Sequence, residues 1–258
     1  LADWRHCSPG LAADASPWGA KDHSRTGVAP GRACALKSAR ASNSTAVDLR
    51  AAIPGAWAAT RSLNGVDYAV LQNDGLVTGH AQGLPDLPVL RQKVEIPFGA
   101  EYSLEVTGSQ WHDVTLAELK LPVAYFPAQP SQPKCGEALP PCVPDTKIYA
   151  SQSLYPAENV RVIEEYIQRG HRILLVEVWP VSYNPAEGSL RLFSDIQFRI
   201  NLKGSDMALT GSQAARYASP AFADLAQSVL NFNQGAQIQS KNPPGYLIIT
   251  ADAYDTAD

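Results

Sequence analysis

The 258 residues are 45% apolar and 18% charged. That is enough chain for one large domain or two modest ones, in a globular balance that can fill a core. The net charge of −4 gives no electrostatic reason to expect nucleic acid or anionic lipid as a partner. No apolar run approaches the length that a membrane-spanning helix needs, so no such helix is expected.

Residues 1–44 are rich in Ala, Ser, Gly and Pro and keep no sustained period, so an irregular arm is expected there. The chain begins at Leu1 rather than Met, without a basic-then-apolar leader. That suits a mature exported protein. Cys7, Cys34, Cys135 and Cys142 form two sequence-local pairs, which makes Cys7–Cys34 and Cys135–Cys142 the economical bridges. The first bridge would pin the arm. Paired cysteines belong to an oxidising compartment: periplasm, cell surface or medium. A metal site using His6 and His23 lacks the ligand spacing that zinc requires.

From residue 45 the texture changes to short strands and turns. "GVDYAVLQNDG" is an apolar run closed by Asn73-Asp74-Gly75, a turn signal. "KVEIPF" alternates with Val94, Ile96 and Phe98 on one face, and "EYSLEVTG" with Tyr102, Leu104 and Val106. "HDVTLAELKLPVAYF" adds Val114 and Leu116, then a second run from Leu119 to Phe126. The stretch 127–147 is proline-rich and aperiodic, and loops of that length are usually functional or disordered.

Ordered strands then return. "HRILLVEVWPVSYNP" is nearly continuous apolar from Ile173 to Val181, as a central strand would be. A turn from Asn184 to Gly188 leads into "LRLFSDIQFRINL", where Ile196, Phe198, Ile200 and Leu202 face in and Gln197, Arg199 and Asn201 face out. A helix is expected over 213–232, with Ser219-Pro220 as its start and Phe222, Leu225, Val229 and Phe232 on its buried face. The fold class is therefore mostly β: an antiparallel sandwich or barrel-like unit over 45–212, with one helix near the C-terminus. Residues 213–242 are helix and linker, and 243–258 read as the opening of another domain.

Catalytic chemistry is scarce. G-x-S-x-G does not occur, and no glycine loop is suited to phosphate. His112 and His171 sit in strand-like contexts that favour hydrogen-bonded structural histidines, and His80 has no evident partner. Glu164 and Glu165 are adjacent, so on a strand they point to opposite faces. Asp252, Asp255 and Asp258 lack the calcium-loop pattern, which leaves a solvated acidic turn as the better reading and no cofactor.

Three stretches in order, "PAQPSQPK", "IYASQSLYPAENVRV" and "RGHRILLVEVWPVSYNPAEGSLRLFSDIQFRI", carry a resemblance over roughly residues 85–205. The chain resembles the N-terminal prodomain of the gingipain-type cysteine peptidases. The matching features are the Tyr155-Pro156 turn, the step Arg169-Gly170-His171-Arg172, and the element Pro180 to Pro185. "GYLIITADAYDTAD" is similar to the first strand and turn of that family's peptidase domain. The resemblance implies a propeptide of a secreted zymogen that assists folding of its cognate peptidase and blocks the active site. The catalytic His and Cys would lie outside this chain, and the partner would be the peptidase itself. It further implies a loop whose basic residue enters the specificity pocket. Lys134, at the edge of a Cys135–Cys142 ring, is the first candidate, and Lys147 the second. Lys241, in "QIQSKNPPG", is the expected processing site. The competing expectation is a secreted β-sandwich for binding or assembly without a peptidase, in which residues 1–44 pack on a neighbouring subunit.

Overall fold

The computed structural model describes residues 35–38, 44–53, 55–73, 76–78, 81–135, 140–218 and 228–232. Among these residues ten strands appear in chain order: β1 (Ala35–Ser38), β2 (Ala46–Ala52), β3 (Trp57–Leu63), β4 (Val66–Gln72), β5 (Leu90–Ile96), β6 (Glu101–Thr115), β7 (Val160–Gln168), β8 (His171–Val178), β9 (Val181–Asn184) and β10 (Ser189–Lys203). Among the described residues two named helices join them, α1 (Thr146–Tyr149) and α2 (Met207–Arg216). All named strand pairs are antiparallel. The mostly β, antiparallel class expected from the sequence is the class found.

One sheet runs β1-β2-β10-β6, with β9 on β10 as well. β2 and β9 lie end to end along one edge of β10, at Asp195–Asn201 and Ser189–Leu192. β6 covers the other edge of β10 along its length, with register shifts between Phe193 and Asp195 and between Gln197 and Phe198. A three-stranded sheet has the order β5-β8-β7, and β3-β4 is a separate hairpin. The tight turns Asn64-Gly65 and Arg169-Gly170 both have positive φ at each residue. That is the backbone twist that suits a two-residue hairpin.

The main core lies between the larger sheets. Val47, Leu49, Ile196, Phe198 and Ile200 on one side meet Val94, Ile96, Leu174, Val176 and Val178 on the other. Each large side chain buried in this way stabilises the fold by about 1.5–3 kcal/mol. The alternation of β10 follows its sequence: Ile196, Phe198, Ile200 and Leu202 are buried while Gln197 is exposed. A second core joins the β3-β4 hairpin to Leu87, Leu116, Tyr125, Trp179, Tyr183 and Leu190. The chain passes from β8 in one sheet to β9 in the other through the fully buried Trp179 and then Pro180. The apolar run from Ile173 to Val181 is therefore two strands rather than one.

Three further expectations are corrected. β1 lies inside the stretch expected to be an irregular arm, where its four residues pair with β2. The run Leu119–Phe126 forms no strand. The chain turns at 116–120, where Lys120 has φ 57°, and only Tyr125 makes a bridge, to Ala69. The helix expected over 213–232 does not begin at 213 as one run: α2, capped at Met207 by Asp206, which accepts a hydrogen bond from the Leu209 N–H, takes in 213–216 and ends at Arg216. The expected cap at Ser219-Pro220 lies outside the described residues. Val229 instead bridges Lys93 on β5, and Asn231 pairs with the backbone of Glu95.

His171 is structural, as its context predicts. It is buried, its Nδ1 lies 2.7 Å from Glu95 Oε1, and its ring stacks at 4.5 Å on Phe232. Glu177, also buried, lies between Arg91 and Arg161, which donate to it at 2.8 and 2.9 Å. Among the described residues no helix is long and apolar enough to cross a membrane.

Candidate functional site

The long aperiodic stretch leaves the second core at Phe126 and returns at Asp145. Its floor is aromatic. The Tyr125 hydroxyl accepts a hydrogen bond from the Leu71 N–H at 2.8 Å, and the Tyr149 hydroxyl donates to the Tyr125 carbonyl at 2.8 Å. Tyr183 packs on both rings, with centroids at 5.8 and 6.3 Å. Burial pushes the phenols of Tyr125 and Tyr149 well above the ordinary tyrosine range. They are therefore fixed neutral donors and acceptors near neutral pH, unsuited to acid–base work.

Above this floor the two limbs of the loop are tied at Gly83. The Gly83 N–H donates to Ala128 O on the outgoing limb, and the Asp145 N–H donates to Gly83 O on the returning limb, both at 2.9 Å. Gly83 has φ +81°, and a Cβ there would meet Val143 O at 2.9 Å. Only glycine fits so close an approach in that conformation. One position further out, the Gln129 side chain faces Cys142. Its Oε1 accepts from the Cys142 N–H at 2.9 Å, and its Nε2 donates to Cys142 O at 3.0 Å and to Pro127 O at 2.9 Å. The return is fixed by Asp145, whose carboxylate accepts from the N–H groups of Lys147 and Ile148 and caps the short α1.

The sequence-predicted residues fall unevenly on this frame. Lys134 is exposed on the loop beyond Gln129, and Lys147 is exposed in α1 beneath the stem. The expected Cys135–Cys142 ring is not formed. Cys142 carries a free thiol, and Cys135 is disulfide-bonded, so its bond leaves the described residues. What closes the stem is polar pairing around Gly83 and Gln129. Cys7, Cys34, Lys241, Asp252, Asp255 and Asp258 lie outside the described residues. Asp145 ahead of a helical turn was a readable cap signal, whereas nothing in the sequence pattern marks Gln129 or Gly83.

A protein-family comparison matches the propeptide family Propeptide_C25 to residues 27–233. The chain belongs to the Propeptide_C25 family. It is thus a propeptide of the C25, gingipain-type cysteine peptidases, and is not itself the catalyst. Among solved structures, one concerned with the zymogenic latency of gingipain K from Porphyromonas gingivalis is similar at TM-score 0.59 and 19% identity. It covers 71% of this chain and 100% of that one. Another, the complex of the pro- and mature domains of RgpB from the same organism, is similar at TM-score 0.59 and 16% identity, over 76% and 97%. At such identities these two establish the shared propeptide fold. A comparison with curated proteins finds no match.

Proposed function

We propose that this Propeptide_C25 chain confers latency on a secreted cysteine peptidase by occupying its active-site cleft with the loop 130–141. Lys134 is the side chain that enters the specificity pocket, and Lys147 is the second candidate. The observation that carries the reading is an exposed lysine on a loop whose base is tied by hydrogen bonds to the second core. A ligand presented in this way loses little conformational freedom on binding, so more of its contact energy remains as affinity. The titles of the two similar structures concern latency and a pro–mature complex, and both agree with such a role.

A propeptide that binds only the folded peptidase also stabilises it by mass action, which unites folding assistance and inhibition in one surface. The bond after Lys241 is the site at which the two parts separate. The chain is exported with its peptidase, and its cysteines suit an oxidising compartment.

The test is inhibition of the cognate peptidase by the full chain carrying Lys134→Ala or Lys147→Ala. Lys134→Ala is expected to weaken inhibition at least about 100-fold, the scale for losing a buried charged anchor in a pocket. An unchanged inhibition constant for Lys134→Ala, with loss on Lys147→Ala, would transfer the role to Lys147.

A further inference from the structure

β6 is an open edge. It pairs with β10 on one side, and no described residue pairs with its other side. Over its 15 residues it carries neither lysine nor proline, the residues that commonly blunt a sheet edge. The β5 edge of the other large sheet is covered, by the bridge from Lys93 to Val229. Along 102–109, β6 borders a cleft of about 700 Å3 whose opposite wall is the approach to β7, residues 157–162. The apolar part of its lining is Leu104, Val106, Val160, Val162, Phe193 and Ile196.

At one end of the cleft stands Trp111, 49% exposed. It lies two residues beyond Ser109 and opposite Phe193, both of which line the cleft. The Arg191 guanidinium stacks on the Trp111 ring, 3.9 Å from its centroid. Arg191 Nε and Nη2 donate to the two carboxylate oxygens of Asp113 at 2.8 and 2.9 Å. Among the described residues, Arg191 Nη1 and the Trp111 indole N–H have no acceptor.

We propose that the β6 edge and this cleft receive an extended segment of the cognate peptidase domain, held by strand addition and recognised at one end by Trp111 and Arg191. A strand laid along β6 takes up its unused backbone groups and sends alternate side chains into the cleft. Those side chains are apolar, to match the lining. Where the segment reaches Trp111, it presents a carboxylate or backbone carbonyl to the two spare donors. The ring and guanidinium are already stacked and tied to Asp113, so binding orders little there, and Trp and Arg are the side chains that most often dominate interfaces. The peptidase is the occupant because the chain belongs to a propeptide family, and a stable complex buries about 800 Å2 on each partner. One side chain in a pocket supplies a small part of that area. The inference rests on the reading that the chain binds and silences its peptidase, and is independent of which lysine enters the pocket.

The experiment uses the full 258-residue chain as wild type, Val106→Lys, Trp111→Ala, Lys134→Ala, and each of the first two substitutions combined with Lys134→Ala. Affinity is measured for the cognate C25 peptidase domain with its catalytic cysteine replaced by alanine, so that the chain is not cut. Hydrogen exchange of residues 102–111 is followed with and without the peptidase. Val106→Lys and Trp111→Ala are each expected to weaken binding at least about tenfold, and by the same factor in the Lys134→Ala background, as separate sites do. Exchange over 102–111 is expected to slow when the peptidase binds. Val106 and Trp111 are half-exposed, so melting temperatures are expected to stay within a few degrees of wild type. Should one variant not fold, the other carries the test.

A folded cleft variant that binds as tightly as wild type overturns the site, and so does unchanged exchange over 102–111. Self-association of the wild-type chain in sedimentation, abolished by Val106→Lys, gives the edge to a second copy and overturns the peptidase as its occupant. If Lys134→Ala alone binds as wild type while the cleft variants bind poorly, the reading of Lys134 fails and the cleft stands. Absence of binding by the wild-type chain removes the latency reading itself, and the cleft with it.

Discussion

Gly65 and Gly170 occupy the same place in two hairpins. Each follows a residue of positive φ and itself has φ near +78°, at +78° and +77°. Alanine at either position therefore meets the same backbone penalty, about 1–2 kcal/mol for a left-handed conformation. Their surroundings differ. A Cβ at Gly65 would meet nothing within 4 Å, whereas one at Gly170 would overlap Gln213 O, lie 2.7 Å from the Gln213 carbonyl carbon and touch Tyr217 at 3.0 Å. Gln213 belongs to α2, and backbone cannot rotate away as a flexible side chain can. The helix would have to shift off the hairpin. That shift would put at risk the hydrogen bond from the Phe98 N–H to Thr210 Oγ1, at 2.9 Å, and the burial of Thr210 and Ala214. Loosening these adds about 1–3 kcal/mol. Gly170→Ala is thus expected to destabilise by about 2–5 kcal/mol, and Gly65→Ala by about 1–2 kcal/mol. Urea unfolding of the two variants, followed by tryptophan fluorescence and extrapolated to water, measures both values. Equal losses at the two sites would refute the close approach of α2 to the β7–β8 turn.

Two further outcomes follow from groups that pair across the sheets. Burial raises the carboxyl of Glu177, but hydrogen bonds from Arg161 and Arg91 outweigh it and hold the group below its ordinary value of 4.5. A lowered carboxylate contributes stability above that value and loses it as pH falls through the folded-state value. The thermal midpoint is therefore expected to drop on acidification below about pH 4.5. Glu177→Gln is expected to cost about 1–3 kcal/mol at neutral pH and to flatten the acid limb, as calorimetry across pH would read. Asn231 accepts from the Glu95 N–H at 2.7 Å and donates to Glu95 O at 2.9 Å. Asn231→Ala is expected to cost about 1–3 kcal/mol and to expose the Glu95 amide to rapid hydrogen exchange; continued protection of that amide would show that 228–232 does not dock on β5.

Where burial alternates along one strand, the sequence is a sufficient guide. The period of two in β10 and the structural character of His171 were legible for that reason, since both reflect a single face meeting a core. β1 was not, because an Ala-Leu-Lys-Ser segment in Ala- and Ser-rich surroundings carries no period, and only its pairing with β2 makes it a strand. The segments "EYSLEVTG" and "HDVT" are one long strand through Gly108, with Val106 exposed although Tyr102 and Leu104 are half-buried. α2 buries only Thr210 and Ala214, too little for an apolar stripe. Val229 and Phe232, which suggested the helical period, pack beside β5 and His171, Val229 through a single bridge to Lys93. The loop was recognisable from its length and prolines. Its closure was not, because a side-chain amide that stands in for a strand leaves no periodic trace.

The passage from β8 through Trp179 and Pro180 into β9 gives one covalent run membership in both layers. Trp179 O accepts from Asn159 Nδ2 at 3.0 Å, and Pro180 O accepts from the Phe193 N–H at 2.8 Å. Each layer is thereby sewn to the other at the point where both are driest. Neither is expected to fray far while its counterpart stays intact, so the two layers are expected to melt as a unit. A partner gripped by such a body would be held by both layers together rather than by one that could peel away.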